Sequence, residues 1–123
     1  MKAILYIFLG GGTGSVLRYL IQLLISKNTI SDFPVATFLI NITGSILIGI
    51  FFTLSERFNL ASEIRLLLTV GLCGGFTTFS TFSADNLNLL KDGYYFTFSF
   101  YTLGSILLGI TGTLLGIWLG KNF

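Results

Sequence analysis

The densest run of chemistry-bearing residues is Gly74-Gly75-Phe76-Thr77-Thr78-Phe79-Ser80-Thr81-Phe82-Ser83. A Gly-Gly pair weakens a helix, and five hydroxyl residues follow it within seven positions. Ser and Thr side chains can satisfy backbone groups that a break sets free, so the pattern predicts a broken helix. Carbonyls freed in this way can hold a cation. Phe76, Phe79 and Phe82 recur at three-residue spacing, which puts them near one face of any helical stretch. Such a stripe ordinarily packs a core. An aromatic ring is electron-poor at its edge, however, so rings interleaved with hydroxyls can also favour an anion without offering it a proton or a full positive charge.

Other polar groups are sparse. Asn41 offers a side-chain NH2 donor, either to a neighbouring helix or to a polar path. Arg18 is the one charge well inside an apolar run; it either snorkels to the interface or serves function. Tyr101, Ser105 and Thr111 form either an isolated scatter or one wall of a path. Asp32, Glu56, Glu63, Asp85 and Asp92 are expected at span ends or in loops, leaving no carboxylate at a span centre. Asn41-Ile42-Thr43 matches a glycosylation acceptor but lies in an apolar run, so the match is a coincidence.

The rest of the sequence excludes enzyme chemistry. It has no His and a single Cys, Cys73, which removes a His/Cys metal site, a Cys–His dyad and a disulfide within one chain. Gly10–Gly14 lacks the Gly-Lys-Ser/Thr of a phosphate-binding loop and follows no strand. A net charge of +2 is too small for nucleic-acid binding of the usual kind.

The elements that must position these residues are membrane helices. Only 10% of the 123 residues are charged, against about 25% in a soluble domain, and the mean hydropathy is +0.88. Charge-free runs, set against the roughly 20 residues that cross a bilayer, predict four spans at about 3–25, 35–54, 65–83 and 96–119 in one transmembrane domain, 1–123. Span length argues for helices over a barrel. The first run resembles a signal peptide only superficially, because Gly10, Gly11, Gly12 and Gly14 interrupt it and no cleavage site follows. Lys2, Arg57, Arg65 and Lys121 fall on one side of the membrane; Lys27, Lys91 and the nearby Arg18 fall on the other. So weak a bias fits a single slightly biased orientation or insertion both ways up. Small residues at four-residue spacing (Gly10/Gly14, Ser45/Gly49, Gly71/Gly75, Ser105/Gly109, Gly112/Gly116/Gly120) allow close helix packing, within one subunit or between two.

The string Gly74–Ser83, the Gly-rich first helix leading to Arg18-Tyr19, and Asn41-Ile42-Thr43-Gly44-Ser45 together resemble the CrcB/Fluc fluoride channel family, over the full chain in length and span count. The resemblance implies an all-α membrane protein with four transmembrane helices, a break in the third, and a dual-topology antiparallel homodimer with two pores in the bacterial plasma membrane. It implies passive efflux of fluoride, and a structural sodium ion held by the backbone carbonyls of Gly74 and Thr77. It carries the pore roles onto Asn41, Phe79, Phe82, Ser80, Thr81, Tyr101, Ser105 and Thr111, and a vestibule role onto Arg18. Leu107 and Gly109 depart from the family's fourth-helix pattern, standing where other members can carry hydroxyls. Two other classes share the length and span count: a small dual-topology multidrug exporter, which needs a membrane carboxylate, and a non-transporting membrane subunit, which leaves the hydroxyl and Phe string without a role.

Overall fold

The computed structural model describes residues 1–28 and 31–122. Every regular element among them is helical: α1 (Lys2–Asn28), α2 (Val35–Arg57), α3 (Ser62–Leu66), a π-helical segment (Leu67–Cys73), α4 (Gly74–Phe76), α5 (Phe79–Lys91) and α6 (Tyr95–Asn122). A bilayer core offers no water to unpaired peptide groups, so an apolar chain satisfies its backbone within helices. Four helical stretches are long and apolar enough to cross a membrane: Lys2–Asn28, Val35–Arg57, Ser62–Lys91 and Tyr95–Asn122. The third contains the break.

That third stretch runs to Lys91, beyond the expected end near residue 83. Charge-free length underestimates it because its last turns are polar and held by their own bonds. Asn86, 9% exposed, accepts from Thr102 Oγ1 at 3.2 Å. Asp85 accepts from the Tyr101 hydroxyl at 3.0 Å. Asp85 therefore lies inside α5, toward the end of the third stretch and not in a loop. Tight turns close the other ends: Asn59 (φ 48°) follows α2, and Gly93 (φ 80°) joins α5 to α6, both residue types that tolerate positive φ.

Packing uses the small residues within one chain. Gly10 and Gly14 of α1 lie against the π segment and α4, where a Cβ on Gly14 would strike the Leu72 carbonyl and one on Gly75 the Gly11 carbonyl. Gly49 and Gly116 make the same backbone approach between α2 and α6, on the Thr113 and Ile46 carbonyls respectively. Close backbone packing of this kind drives helix association where lipid is as apolar as leucine. Arg57 donates from Nη1 to the Gly120 carbonyl at 3.0 Å, covering an orphan acceptor in the last turn of α6. Large apolar residues of α1 and α6, among them Phe8, Leu24, Phe96 and Trp118, stay exposed, as helices facing acyl chains require.

Candidate functional site

The break falls at Thr77 (φ −84°, ψ 158°) and Thr78 (φ −151°, ψ 120°), both extended. The local sequence explains it. Thr77 Oγ1 donates back to the Cys73 carbonyl at 2.9 Å, finishing the upstream half-helix. Thr78 then N-caps α5, its hydroxyl accepting from the Thr81 N–H at 3.2 Å, a capping bond worth about 1 kcal/mol.

Two neighbouring helices hold the break from outside. Asn41 of α2 donates from Nδ2 to the Thr78 carbonyl at 3.2 Å, and its Oδ1 accepts from the Thr78 N–H at 2.9 Å. The carboxamide thus replaces both partners that an intact helix would give this residue. From α1, Arg18 Nε and Ser15 Oγ donate to the Gly75 carbonyl at 3.1 and 3.5 Å. Because the Thr78 N–H goes to Asn41, the Gly74 carbonyl loses its helical donor. Among the described residues no backbone N–H reaches the Gly74 or Thr77 carbonyl across the break. Both are hard, neutral oxygen donors of the kind that suits an alkali cation, and Gly74 is exposed on the single chain. Among the described residues no cluster of three His, Cys, Asp or Glu side chains offers an alternative metal site.

The break opens a cavity of about 420 Å³ lined by Asn41, Ser45, Thr69, Cys73, Gly74, Thr77, Thr78, Phe79, Phe82 and Ser105, with no charged side chain. Among the described residues the buried Ser105 Oγ has no hydrogen-bond partner. The aromatic rings continue inward, Phe79 to Phe82 at 5.8 Å and Phe82 to Tyr101 at 5.1 Å between centroids. Tyr101 is fully buried and also meets Phe33 and Phe38 at 5.5 and 6.2 Å. Beyond it a second cavity, about 410 Å³, is lined in part by Gln22, Ser26, Thr37, Thr81 and Asp85. Two openings are therefore separated by a wall of rings. Outside the membrane-length helices, the negative charge of Asp32 raises the Tyr94 hydroxyl pKa above its ordinary value. That phenol is therefore uncharged at neutral pH.

The expected site residues divide accordingly. Asn41, Phe79, Phe82, Ser105, Gly74 and Thr77 meet at the first cavity, and Thr81 lines the second. Tyr101 joins the two through its ring, and Ser80 is exposed beside the Thr78 hydroxyl at 3.2 Å. Thr111 is not brought to them: it is exposed on α6 and donates to the Leu107 carbonyl at 2.9 Å. Phe76 does not share a face with Phe79. The extended residues between them turn α5, leaving Phe76 6% and Phe79 78% exposed. Asp85, Thr37 and Ser15 were missed. Asp85 continues the three-residue spacing of Phe79 and Phe82, and Thr37 stands one turn before Asn41, so the same periodicity carried both.

The model of the CrcB-like protein, Camphor Resistance (CrcB) family matches residues 5–117. The chain is 57% identical over 121 residues to a protein of Phocaeicola vulgatus, covering 98% of this chain and all of that one. It is 56% identical over 126 residues to a protein of Bacteroides fragilis (100% and 99% covered) and 47% identical over 123 residues to one of Flavobacterium psychrophilum (99% of each). All three relatives bear the name fluoride-specific ion channel FluC, which describes a channel and not an enzyme. Four membrane-length helices, a third one broken at its hydroxyl-rich string, and agreement along nearly the whole chain have one reading: this multi-pass membrane protein belongs to the CrcB-like family.

Proposed function

We propose that the chain is a fluoride-selective channel that lets the anion leave the cytoplasm passively. One observation carries this reading. The break opens onto a cavity lined by phenylalanine rings, hydroxyls and a carboxamide but no charged side chain, and the relatives named above bear the name of fluoride channels. Fluoride is small and strongly hydrated, so passage needs donors that replace water one for one. Ser105 and the second N–H of Asn41 serve as donors at the first cavity, and the edges of Phe79 and Phe82 stabilise the dehydrated ion. Tyr101, Thr81 and Ser80 continue the route toward the second opening. Thr111, whose hydroxyl is bonded to its own helix, contributes at most to the outer surface of the fourth helix. Arg18 concentrates anions near the entrance.

A single chain leaves this route open on one side, with Phe79 largely uncovered. An antiparallel second copy supplies the missing wall, giving two pores, and the weak charge bias permits both insertions. The Gly74 and Thr77 carbonyls from both copies then hold a sodium ion at the centre. Bound there, sodium would supply positive charge beside these carbonyls and would not be cargo. The membrane is the plasma membrane of a bacterium.

The test is fluoride release from loaded liposomes containing the purified protein. Rapid electrogenic release, with chloride retained, is the expected result. Vesicles that keep their fluoride refute the reading, whereas release of fluoride and chloride alike refutes the selectivity.

A further inference from the structure

Arg18 does more in this structure than a cation near an entrance requires. In an unbroken helix the Gly75 carbonyl would accept from the Phe79 N–H. Phe79 instead opens α5 beyond two extended residues, so Gly75 is an orphan acceptor at the end of a half-helix, where the peptide dipoles favour a cation. Arg18 meets it with Nε at 3.1 Å, and Ser15 adds a longer contact from one turn earlier on the same helix. The backbone there is already in contact with α1, since Gly75 packs against Gly11. Arg18 thus completes a seam that fixes the upstream edge of the break. Gly74 lies one residue before this anchored carbonyl and Thr77 two residues after it.

We propose that Arg18 is a positioning residue: its Nε–H on the Gly75 carbonyl sets the direction of the neighbouring Gly74 and Thr77 carbonyls, a role separate from its charge. This rests on the proposed function in one respect, that those two carbonyls hold sodium.

Side-chain geometry separates the two roles. Glutamine has the same number of atoms as arginine out to Nε, so Arg18→Gln keeps an N–H donor in place and removes the charge. Lysine carries a methylene where arginine has Nε, so Arg18→Lys keeps the charge and moves the donor away. Arg18→Leu lacks both. The readouts are the sodium-dependent rise in thermal unfolding temperature of the detergent-purified protein, hydrogen exchange at the Thr77 and Thr78 amides, and fluoride release from liposomes.

Arg18→Gln is expected to keep the sodium response and amide protection of the parent while slowing release at low ionic strength. Arg18→Lys is expected to need about tenfold more sodium for the same thermal shift, the loss of one hydrogen bond, and to expose both amides. The reverse pattern, with Lys like the parent and Gln like Leu, overturns the proposal and leaves only a charge role. If Arg18→Lys does not fold, Arg18→Gln against Arg18→Leu decides: equal loss of amide protection in both overturns it. A parent protein that shows no sodium response refutes the sodium reading, and amide exchange in Arg18→Lys still tests the anchor.

Discussion

At the residue scale, the rings and hydroxyls of the third span sit in different surroundings. Phe79 is largely uncovered and touches Phe82, which stacks toward Tyr101. Phe79→Ile and Phe82→Ile keep the apolar bulk and lose the electropositive ring edge. Each is expected to slow fluoride release from liposomes by about tenfold or more while the protein elutes unchanged in size. Release at the parental rate sinks the ring-edge role. The fourth-helix hydroxyls make a matched pair. Ser105→Ala removes a buried, unpartnered group that lines the first cavity and should reduce release. Thr111→Val removes one already bonded to its own helix and exposed, and should leave release within about twofold, a surface change of ordinary size. Asn41 holds both backbone groups of Thr78. Asn41→Ala leaves a part-buried N–H and C=O without these partners, a loss of about 1–3 kcal/mol, to be read as a lower unfolding temperature in addition to lost transport. A transport defect without a stability defect would show that the clamp is energetically idle.

At the element scale, glycine positions differ sharply on one helix. A Cβ on Gly14 would collide with the Leu72 carbonyl, whereas one on Gly12 meets nothing within 4 Å. Gly14→Ala is expected to lose about 1–3 kcal/mol through forced separation of α1 from the π segment. Gly12→Ala should be neutral or slightly stabilising, since alanine is the better helix former. Thermal unfolding in detergent compares them, and equal behaviour would contradict the close approach. These elements also mark what the sequence disclosed. Four spans and a break at the hydroxyl string followed from charge-free length and Gly-Gly-Phe-Thr-Thr, because both signals are local. The π turns of Leu67–Cys73 did not, because a wider turn depends on how Gly71 and Gly75 settle against α1 and leaves no compositional mark. The reach of α5 to Lys91 was hidden for another reason: polar Asp85 and Asn86 end a hydropathy run, yet Tyr101 and Thr102, sixteen residues on, satisfy them. Asp85 stands near the end of the third stretch and not at its centre, and the named relatives set this chain apart from a proton-coupled exporter. Asn41 was visible as a polar group, but its grip on Thr78 needed two helices placed side by side.

At the scale of the whole molecule, one chain lines two cavities. Gly74 and Phe79 are exposed on the single chain, and the proposed antiparallel copy would cover both. Accessibility labels on each terminus in intact cells should then react from both sides of the membrane in similar amounts; labelling from one side only contradicts dual insertion. Replacing sodium by a larger monovalent cation should weaken transport and lower the unfolding temperature, as expected for oxygen donors set at a fixed spacing. The approach of α1 to Gly71 and Gly75 has a further result. Backbone rests on backbone there with no side chain between, so the upstream half of the broken span has no compressible layer in which to pivot. A conduit with such a wall works as a fixed orifice: its flow should follow the driving force from the first instant, without a threshold voltage or activation delay.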